Sequence, residues 1–232
     1  MIDLTTMMWK EVAEFFGNRR FLTIFTISIG LMGVLPLTTG VQGSPVAIIL
    51  RGMFVLLATL MVVANTAPDL VLHERVGHTL DYLLTTRLPD YAIFGAKVFV
   101  SAAVGYIAAM LSLAVQLVAT GLFGGTGWHW LFLSLPLGRV VAFGLTADLG
   151  LYVAVVGTFV ALRVGEQRAA YMVTVVSVGV LLVPFLVGWL HVALTMSWMT
   201  QATIAFGVFS IALGLLGLRL FRREMLVLYL QE

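Results

Sequence analysis

Apolar residues form six runs along this chain, and polar residues gather between them. A helix needs about 20 mostly apolar residues to cross a bilayer, because its backbone groups must bond to one another in lipid. The runs that reach this length are Phe21–Val41, Val46–Pro68, Val98–Phe123, Val140–Leu162, Ala169–Leu190 and Thr200–Leu218. The pattern predicts six transmembrane helices in one domain that occupies residues 1–232.

Composition supports an integral membrane protein of the all-α class. The chain is 61% hydrophobic and 10% charged, with a mean hydropathy of +1.07, far from the averages of soluble domains. It has no cysteine, which excludes disulfides and thiolate metal sites. A net charge of +2 is too small to indicate nucleic-acid binding. The polar N-terminus lacks the early apolar stretch of a cleaved signal peptide.

The distribution of basic residues predicts the orientation of the chain. With the N-terminus inside, the inner segments hold eleven Lys and Arg residues and the outer segments hold only Arg51 and Arg139. Cytoplasmic loops are enriched in these residues. An even number of spans returns the C-terminus to the same side. We therefore expect a multi-pass protein of the plasma (inner) membrane with both termini in the cytoplasm.

The segment before the first span, residues 7–20, has the pattern of an amphipathic helix. One face holds Met8, Val12, Phe15 and Phe16, and the other faces hold Lys10, Glu11, Glu14 and Arg19. Such a helix lies in the membrane interface with its apolar face toward lipid. The sequence predicts an interfacial helix on the cytoplasmic side.

The longest polar stretch between spans, residues 69–97, contains the letters HERVGH. A helical zinc protease places two histidines four residues apart on one face, with a glutamate as base. Here His73 and His78 are five residues apart, which separates them by about 140° around a helix. We find no other catalytic motif in the chain, so the sequence indicates neither a catalytic residue nor a metal ligand.

The same stretch predicts a short amphipathic helix along the cytoplasmic surface, over roughly Leu72–Leu84. Its apolar positions are Leu72, Val76, Leu80, Leu83 and Leu84, and its polar positions are His73, Glu74, Arg75, His78 and Asp81. Pro89 disfavours helix in the residue before it, and Asp90 is suited to cap a new helix that leads into the third span. By these features alone, the helix is either a lipid-surface anchor or a docking surface.

The loop resembles the cytoplasmic loop of the type-2 permeases of ABC exporters. That family typically has Glu-Arg/Lys-x-x-Gly-Thr-Leu-Glu-x-Leu-Leu-x-Thr-Pro, followed by Gly-Lys at the start of the third span. The matching positions here are Glu74-Arg75, Thr79-Leu80-Asp81, Leu83-Leu84-x-Thr86 and Lys97. The departures are Gly77 one residue early, with His78 at the usual glycine position, Arg87 in place of the proline, and Ala96 before Lys97. The N-terminal segment and Phe221-Arg222-Arg223-Glu224 also resemble the family's elbow helix and C-terminal tail.

This resemblance implies a transport subunit that pairs with a second permease, either a copy or a paralogue. A separate ATP-binding subunit would hold ATP and Mg, since the chain lacks the phosphate-binding loop Gly-x-x-x-x-Gly-Lys-Ser/Thr. The horizontal helix would be the coupling helix that docks on this subunit. The residues that the resemblance assigns to coupling are Glu74, Arg75, Gly77, His78, Thr79, Leu80, Asp81 and Leu83. The chain itself would be no enzyme and would bind no cofactor; its other partner would be membrane lipid.

Asp148 is the only carboxylate inside a predicted span. It precedes Arg163 by fifteen residues, or about 22 Å at 1.5 Å per residue, which places it in the outer half. Ionisable groups at this depth are costly and usually functional. The candidate roles are contact with a cationic substrate group, gating, pairing with Arg139 or Arg51, and contact with interfacial water. The apolar and aromatic spans favour an amphipathic or lipid-like substrate.

Two alternatives stay open. A haem-exporter-like permease of cytochrome maturation has a similar size, but its tryptophan-containing second span is not found in Gly52–Pro68. An ion-coupled secondary transporter would be expected to place several ionisable or helix-breaking residues near the midplane, where this chain offers only Asp148.

Overall fold

The structure is a computed structural model, and it describes residues 4–38, 45–76, 90–123, 136–164, 166–191 and 196–220. Every regular element within these ranges is helical. The helices are α1 (Leu4–Gly17), α2 (Arg19–Thr38), α3 (Pro45–Val76), α4 (Asp90–Phe123), α5 (Pro136–Arg139), α6 (Thr146–Arg163), α7 (Gln167–His191) and α8 (Met196–Leu220). A π-helical segment, Val140–Leu145, joins α5 to α6.

Five helical stretches in the described ranges are long and apolar enough to cross a membrane. They are Arg19–Pro36, Arg51–Glu74, Tyr91–Leu122, Val140–Arg163 and Thr200–Arg219, and they overlap the first four predicted spans and the sixth. The fifth predicted span falls in α7, whose described apolar stretch, Arg168–Val180, is shorter. The expected helical membrane fold is therefore confirmed, with length and composition supporting five of the six spans.

Helices α3 and α6 form the centre of the bundle. Helix α3 packs along α6, α4 and α2, and α6 also packs against α4, α7 and α8. The apolar stretch of α3 is 72% buried, whereas those of α2 and α8 are 22% and 17% buried. Large apolar side chains such as Ile204 and Val208 therefore face outward on α8, as suits a helix surrounded by lipid.

Small residues bring α3 and α6 close together. A Cβ atom at Gly157 would lie 3.1 Å from Ala67 Cβ and 3.3 Å from Pro68 Cδ, and one at Gly150 would lie 3.3 Å from Thr59 Cγ2. Membrane helices associate through van der Waals packing, and small residues allow their backbones to approach. The two glycines therefore set the spacing of the central pair.

A tight turn joins α1 to α2. The backbone N–H of Asn18 donates to Glu14 O at 3.1 Å, and the Asn18 side chain accepts from the backbone N–H of Arg20 at 3.0 Å. Asn18 is thus the N-cap of α2. Phe15 stacks on Phe21 with a centroid separation of 5.6 Å, which fixes α1 against the bundle.

The buried face of α1 differs from the predicted one. Its fully buried residues are Met7, Glu11 and Phe15, whereas Phe16 is 61% exposed. Glu11 was expected on the polar face, but its carboxylate meets a lysine from α4 inside the bundle. A helix therefore covers most of the predicted segment, but it ends at Gly17 and is oriented by a buried charge as well as by its apolar residues.

The predicted surface helix at Leu72 does not begin there. Helix α3 continues without a break to Val76, so residues 72–76 are the end of the second long helix. Residues 77–89, which hold most of the predicted coupling helix, lie outside the described residues. Among the described residues, α4 runs from Asp90, in agreement with a helix predicted from about this residue into the third span.

Candidate functional site

Charged side chains from three helices meet where α1 crosses the end of α3 and the start of α4. Lys97 lies at the centre of this ion cluster, which we define as Lys10, Glu11, Glu14, Glu74 and Lys97. Its Nζ atom is 2.9 Å from Glu11 Oε1 and 2.7 Å from Glu74 Oε2, and it donates to the carbonyl oxygen of Leu70 at 2.9 Å. Lys97 therefore joins α4 to both α1 and α3.

Lys10 extends the cluster on its outer side. Its ammonium group donates a short hydrogen bond to Glu74 Oε1 and lies 3.2 Å from Glu14 Oε1. The Glu74 carboxylate thus bridges the two lysines, one from α1 and one from α4. The cluster therefore connects three helices. Lys10 and Glu74 are 64 residues apart in the chain, and Glu11 and Lys97 are 86 residues apart.

Three members of the cluster are almost completely removed from solvent. Glu11, Glu74 and Lys97 are 0%, 1% and 2% exposed. Isolated buried charges are very costly, and pairing with good geometry offsets much of that cost. The three side chains therefore depend on one another, and the loss of one leaves the buried charges of the others only partly balanced.

Lys10 and Glu11, which α1 contributes to this network, have raised pKa values. Burial raises the pKa of the Glu11 carboxyl, and the nearby Lys97 only partly offsets this effect. For Lys10, burial lowers the pKa, but the hydrogen bond and charge of Glu74 outweigh it, so the net pKa is raised. The raised pKa keeps Lys10 positively charged. The raised pKa of Glu11 means that its carboxylate takes up a proton more readily.

The carboxylates of Glu11, Glu14 and Glu74 approach within 4.8 Å of one another, a spacing that also occurs in metal sites. Here two ammonium groups lie among them and supply the positive charge. Carboxylate oxygens prefer hard cations such as Mg²⁺ or Ca²⁺, but the lysines neutralise these oxygens. The geometry is that of a structural ion network.

The predicted coupling residues are described only in part. Glu74 was expected on a polar docking face, but it is buried in the ion cluster, while its neighbour His73 is exposed. Arg75 belongs to α3, and its side chain is outside the described set. The remaining predicted residues, Gly77, His78, Thr79, Leu80, Asp81 and Leu83, also lie outside the described residues. Their coupling role stays a prediction.

Asp148 lies in the first turn of α6, against α8. A Cβ atom at Gly207 would come within 2.8 Å of Asp148 Oδ1, so a larger residue there would require the carboxylate to shift. Ser210 Oγ lies 3.4 Å from the backbone oxygen of Asp148. Among the described residues, no side chain pairs with the carboxylate, including Arg139 and Arg51. The half-buried carboxylate is therefore open to a ligand, a proton or water.

The π-helical segment immediately precedes α6, the helix that carries Asp148. Its carbonyl at Val141 accepts a hydrogen bond from Thr146 Oγ1 at 2.9 Å, and this extra acceptor contact suits the wider turn. Single π-helical turns often occur at functional sites. The segment changes the register between α5 and α6, and thereby affects which side of the bundle the Asp148 side chain faces.

Sequence reasoning missed the internal role of Lys10, Glu11 and Lys97. One sequence signal was present. Lys97 lies at the polar end of an apolar span, and Glu11 and Glu74 lie on two other segments at a similar predicted depth in the membrane. The sequence matches no known protein-family model and has no significant similarity to a curated protein.

Proposed function

We propose that this chain is the six-span permease subunit of an ATP-driven ABC exporter in the plasma (inner) membrane. It would form a dimer with a copy or a paralogue and dock on separate ATP-binding subunits. The observation that carries the proposal is the ion cluster. Glu74 and Lys97, the two charges at either end of the family-like loop, share one buried network with α1.

The cluster suggests how a partner would move the helices. Residues 77–89 connect the end of α3 to the start of α4, and Glu74 is tied to Lys97 across these ends. A force applied to the loop by a closing ATP-binding subunit would reach α3, α4 and α1 together. The buried ion pairs would make these ends move as one unit, because separating them would expose unpaired charges to a poorly solvated site.

The substrate that best suits these helices is amphipathic or lipid-like. The described helices present apolar and aromatic residues outward, and Tyr152 packs on Phe206 with ring centroids 5.6 Å apart. Asp148, near this aromatic pair, would contact a cationic group of the substrate or act in gating. Transport would proceed from the cytoplasm or the inner leaflet outward, with ATP and Mg bound by the partner.

Co-expression with candidate ATP-binding subunits tests the proposal. We expect one subunit to co-purify stoichiometrically and to hydrolyse ATP in the complex. Asp81→Lys in the loop should abolish ATP-driven transport, because it reverses a charge on the predicted docking face. The matched control is Glu166→Lys, which makes the same change at an exposed position outside the predicted docking loop. Equal transport by both variants would contradict the assigned docking surface.

An ion-coupled secondary transporter is the second candidate, because Asp148 has no ion-pair partner among the described residues. The purified chain in proteoliposomes, with an imposed proton or sodium gradient and no ATP, separates the two candidates. An exporter subunit should show no gradient-driven uptake by itself. Gradient-driven uptake that Asp148→Asn abolishes would replace the first proposal with the second.

A further inference from the structure

A cleft opens between α2, α3 and α7 at the basic end of the bundle. This end is formed by the starts of α2, α4 and α7 and the ends of α3, α6 and α8. The cleft has a volume of about 560 Å³, and Arg20, Asn65, Arg168 and Tyr171 are among the residues that line it. None of these described lining residues belongs to the ion cluster, and the cleft is not part of the sites described above.

Two arginines that are far apart in the sequence converge on this cleft. Arg20 is the second residue of α2, which Asn18 caps, and Arg168 is the second residue of α7. No acidic residue is among those that line the described cleft. A guanidinium group has five N–H donors, so an arginine that already has a protein contact keeps donors for a ligand. Two cationic side chains with donors for a ligand are therefore among the described lining residues.

The wall that α3 provides is more polar than an ordinary helix surface. Pro68 has no backbone N–H, so it cannot donate the usual helical hydrogen bond to the carbonyl of Ala64, and both residues line the cleft. Asn65 donates its side-chain amide to Met61 O at 2.7 Å, which orients the amide along the same wall. A backbone carbonyl and a side-chain amide thus belong to residues that line the cleft together with the arginines, and such groups suit hydroxyl-bearing ligands.

The rim of the cleft continues into the apolar surface of the bundle. Met172 lines the cleft and is 62% exposed, and Val176, one turn further along α7, is 63% exposed. A ligand with an anionic head and an apolar tail could therefore place the head between the arginines and the tail along α7. A free phosphate would contact only the arginines and not the apolar surface of α7.

A neighbouring cavity provides a useful contrast. It has a volume of about 470 Å³ and is lined by Arg19 and His73, but also by Glu14. The carboxylate of Glu14 offsets the charge of Arg19 there. The preference for an anion belongs to the cleft with two arginines and does not extend to every basic position at this end.

We propose that this cleft binds the head group of an anionic membrane phospholipid, with the phosphate between Arg20 and Arg168. Arginine forms charge-assisted hydrogen bonds to phosphate, and basic pockets between membrane helices bind anionic head groups. The inference requires only that the chain lies in a membrane. It stands whether or not the chain works with an ATP-binding subunit.

Native mass spectrometry of the purified full chain tests this site. Phosphatidylglycerol and phosphatidylcholine with identical acyl chains are titrated onto the wild type, onto Arg20→Gln with Arg168→Gln, and onto Arg163→Gln with Arg219→Gln. The last pair is the matched control, because it removes the same charge from two exposed arginines at the same end that do not line the cleft. Thermal unfolding in detergent checks that each variant is folded.

We expect the tightest phosphatidylglycerol site to weaken by at least about tenfold in the cleft variant, since two charge-assisted contacts are lost, and to be unchanged in the control. The single variant Arg168→Gln, at an exposed residue, should weaken phosphatidylglycerol binding by a smaller factor. It replaces the double variant in the test if the double variant does not fold. Equal binding of phosphatidylglycerol by all variants, or equal binding of the two lipids by the wild type, would overturn the proposal. Displacement of the lipid by millimolar inorganic phosphate would also overturn it in favour of a free-phosphate site.

Discussion

At the scale of single residues, Lys97 links three helices at the basic end of the bundle. Its ammonium group contacts one carboxylate of α1, one carboxylate of α3 and the carbonyl of Leu70. Lys10 contacts the same Glu74 but remains about one-third exposed. Two lysines in one cluster therefore differ mainly in burial, and this difference makes their contributions to stability separable.

We predict that Lys97→Met destabilises the fold by about 3–5 kcal/mol, because it leaves Glu11 and Glu74 buried with too little positive charge. Lys10→Met should cost about 1 kcal/mol or less, since water can solvate part of its surroundings. Denaturant unfolding in detergent measures both values. Adding Glu11→Gln to Lys97→Met should recover part of the loss; equal losses for the two single variants would show that burial does not govern the cluster.

The raised pKa of Glu11 predicts a pH dependence of stability. Because the pKa is higher in the folded state than in the unfolded state, the folded chain binds this proton first as the pH falls. The contribution favours folding at low pH and is lost as the pH rises through the raised folded pKa. Unfolding measured from acidic to neutral pH should show this loss in the wild type and a flatter profile in Glu11→Gln. Parallel profiles would contradict the assigned shift.

At the scale of elements, proline and glycine determine how α3 meets its neighbours. Pro68 lies inside α3 without ending it, although proline commonly ends helices in water. Packing against Gly157 of α6 accommodates its ring, and in a membrane neighbouring groups can satisfy the backbone that proline leaves unpaired. The helix therefore continues to Val76 and carries Glu74 into the ion cluster.

We predict that Gly157→Ala destabilises the bundle by about 1–3 kcal/mol, the usual cost of overpacking. The new methyl group would press on Ala67 Cβ and the Pro68 ring, neither of which can rotate away. Gly179→Ala is the control, because nothing lies within 4 Å of a Cβ atom there, and alanine should stabilise this helix by up to about 1 kcal/mol. Thermal unfolding of both variants makes the comparison; a gain in stability for Gly157→Ala would show that α3 and α6 are less tightly packed than described.

At the scale of the whole molecule, the bundle has a buried centre and an apolar outer surface. Helices α3 and α6 provide the centre, and α2 and α8 expose apolar side chains around it. Helix α7 covers Gln167–His191, and its residues Arg168–Val180 form an apolar stretch. Whether α7 crosses the membrane decides if both termini lie on one side.

Single-cysteine labelling can determine this, because the natural chain has no cysteine. We predict that Glu166→Cys, before α7, is shielded from an impermeant maleimide added outside intact cells, and that Leu194→Cys, after α7, reacts. This result would place the two ends of α7 on opposite sides of the membrane. Reaction of both positions, or of neither, in cells whose permeabilised form labels fully would exclude a crossing by α7.

The sequence by itself determined the class of this protein and most of its helix positions. Runs of apolar residues predicted the helical membrane fold, because a chain in lipid must form its backbone hydrogen bonds locally and a linear pattern reveals such segments. The residue type of Asp90 indicated where α4 begins. The resemblance of the Glu74 loop to exporter permeases also came from local order, and it stays a prediction. These features depend on neighbours within a few turns.

Only the tertiary structure decided the partners of Glu11, Glu74 and Lys97 and the placement of Arg20 and Arg168 on one cleft. The sequence placed Glu11 and Glu74 on polar faces, because a helical pattern treats charge as a preference for water. Buried charges instead find opposite charges on other helices, and those contacts depend on how the helices cross. A one-dimensional pattern holds no information about a crossing, so the ion cluster and the cationic cleft emerge only when the helices pack.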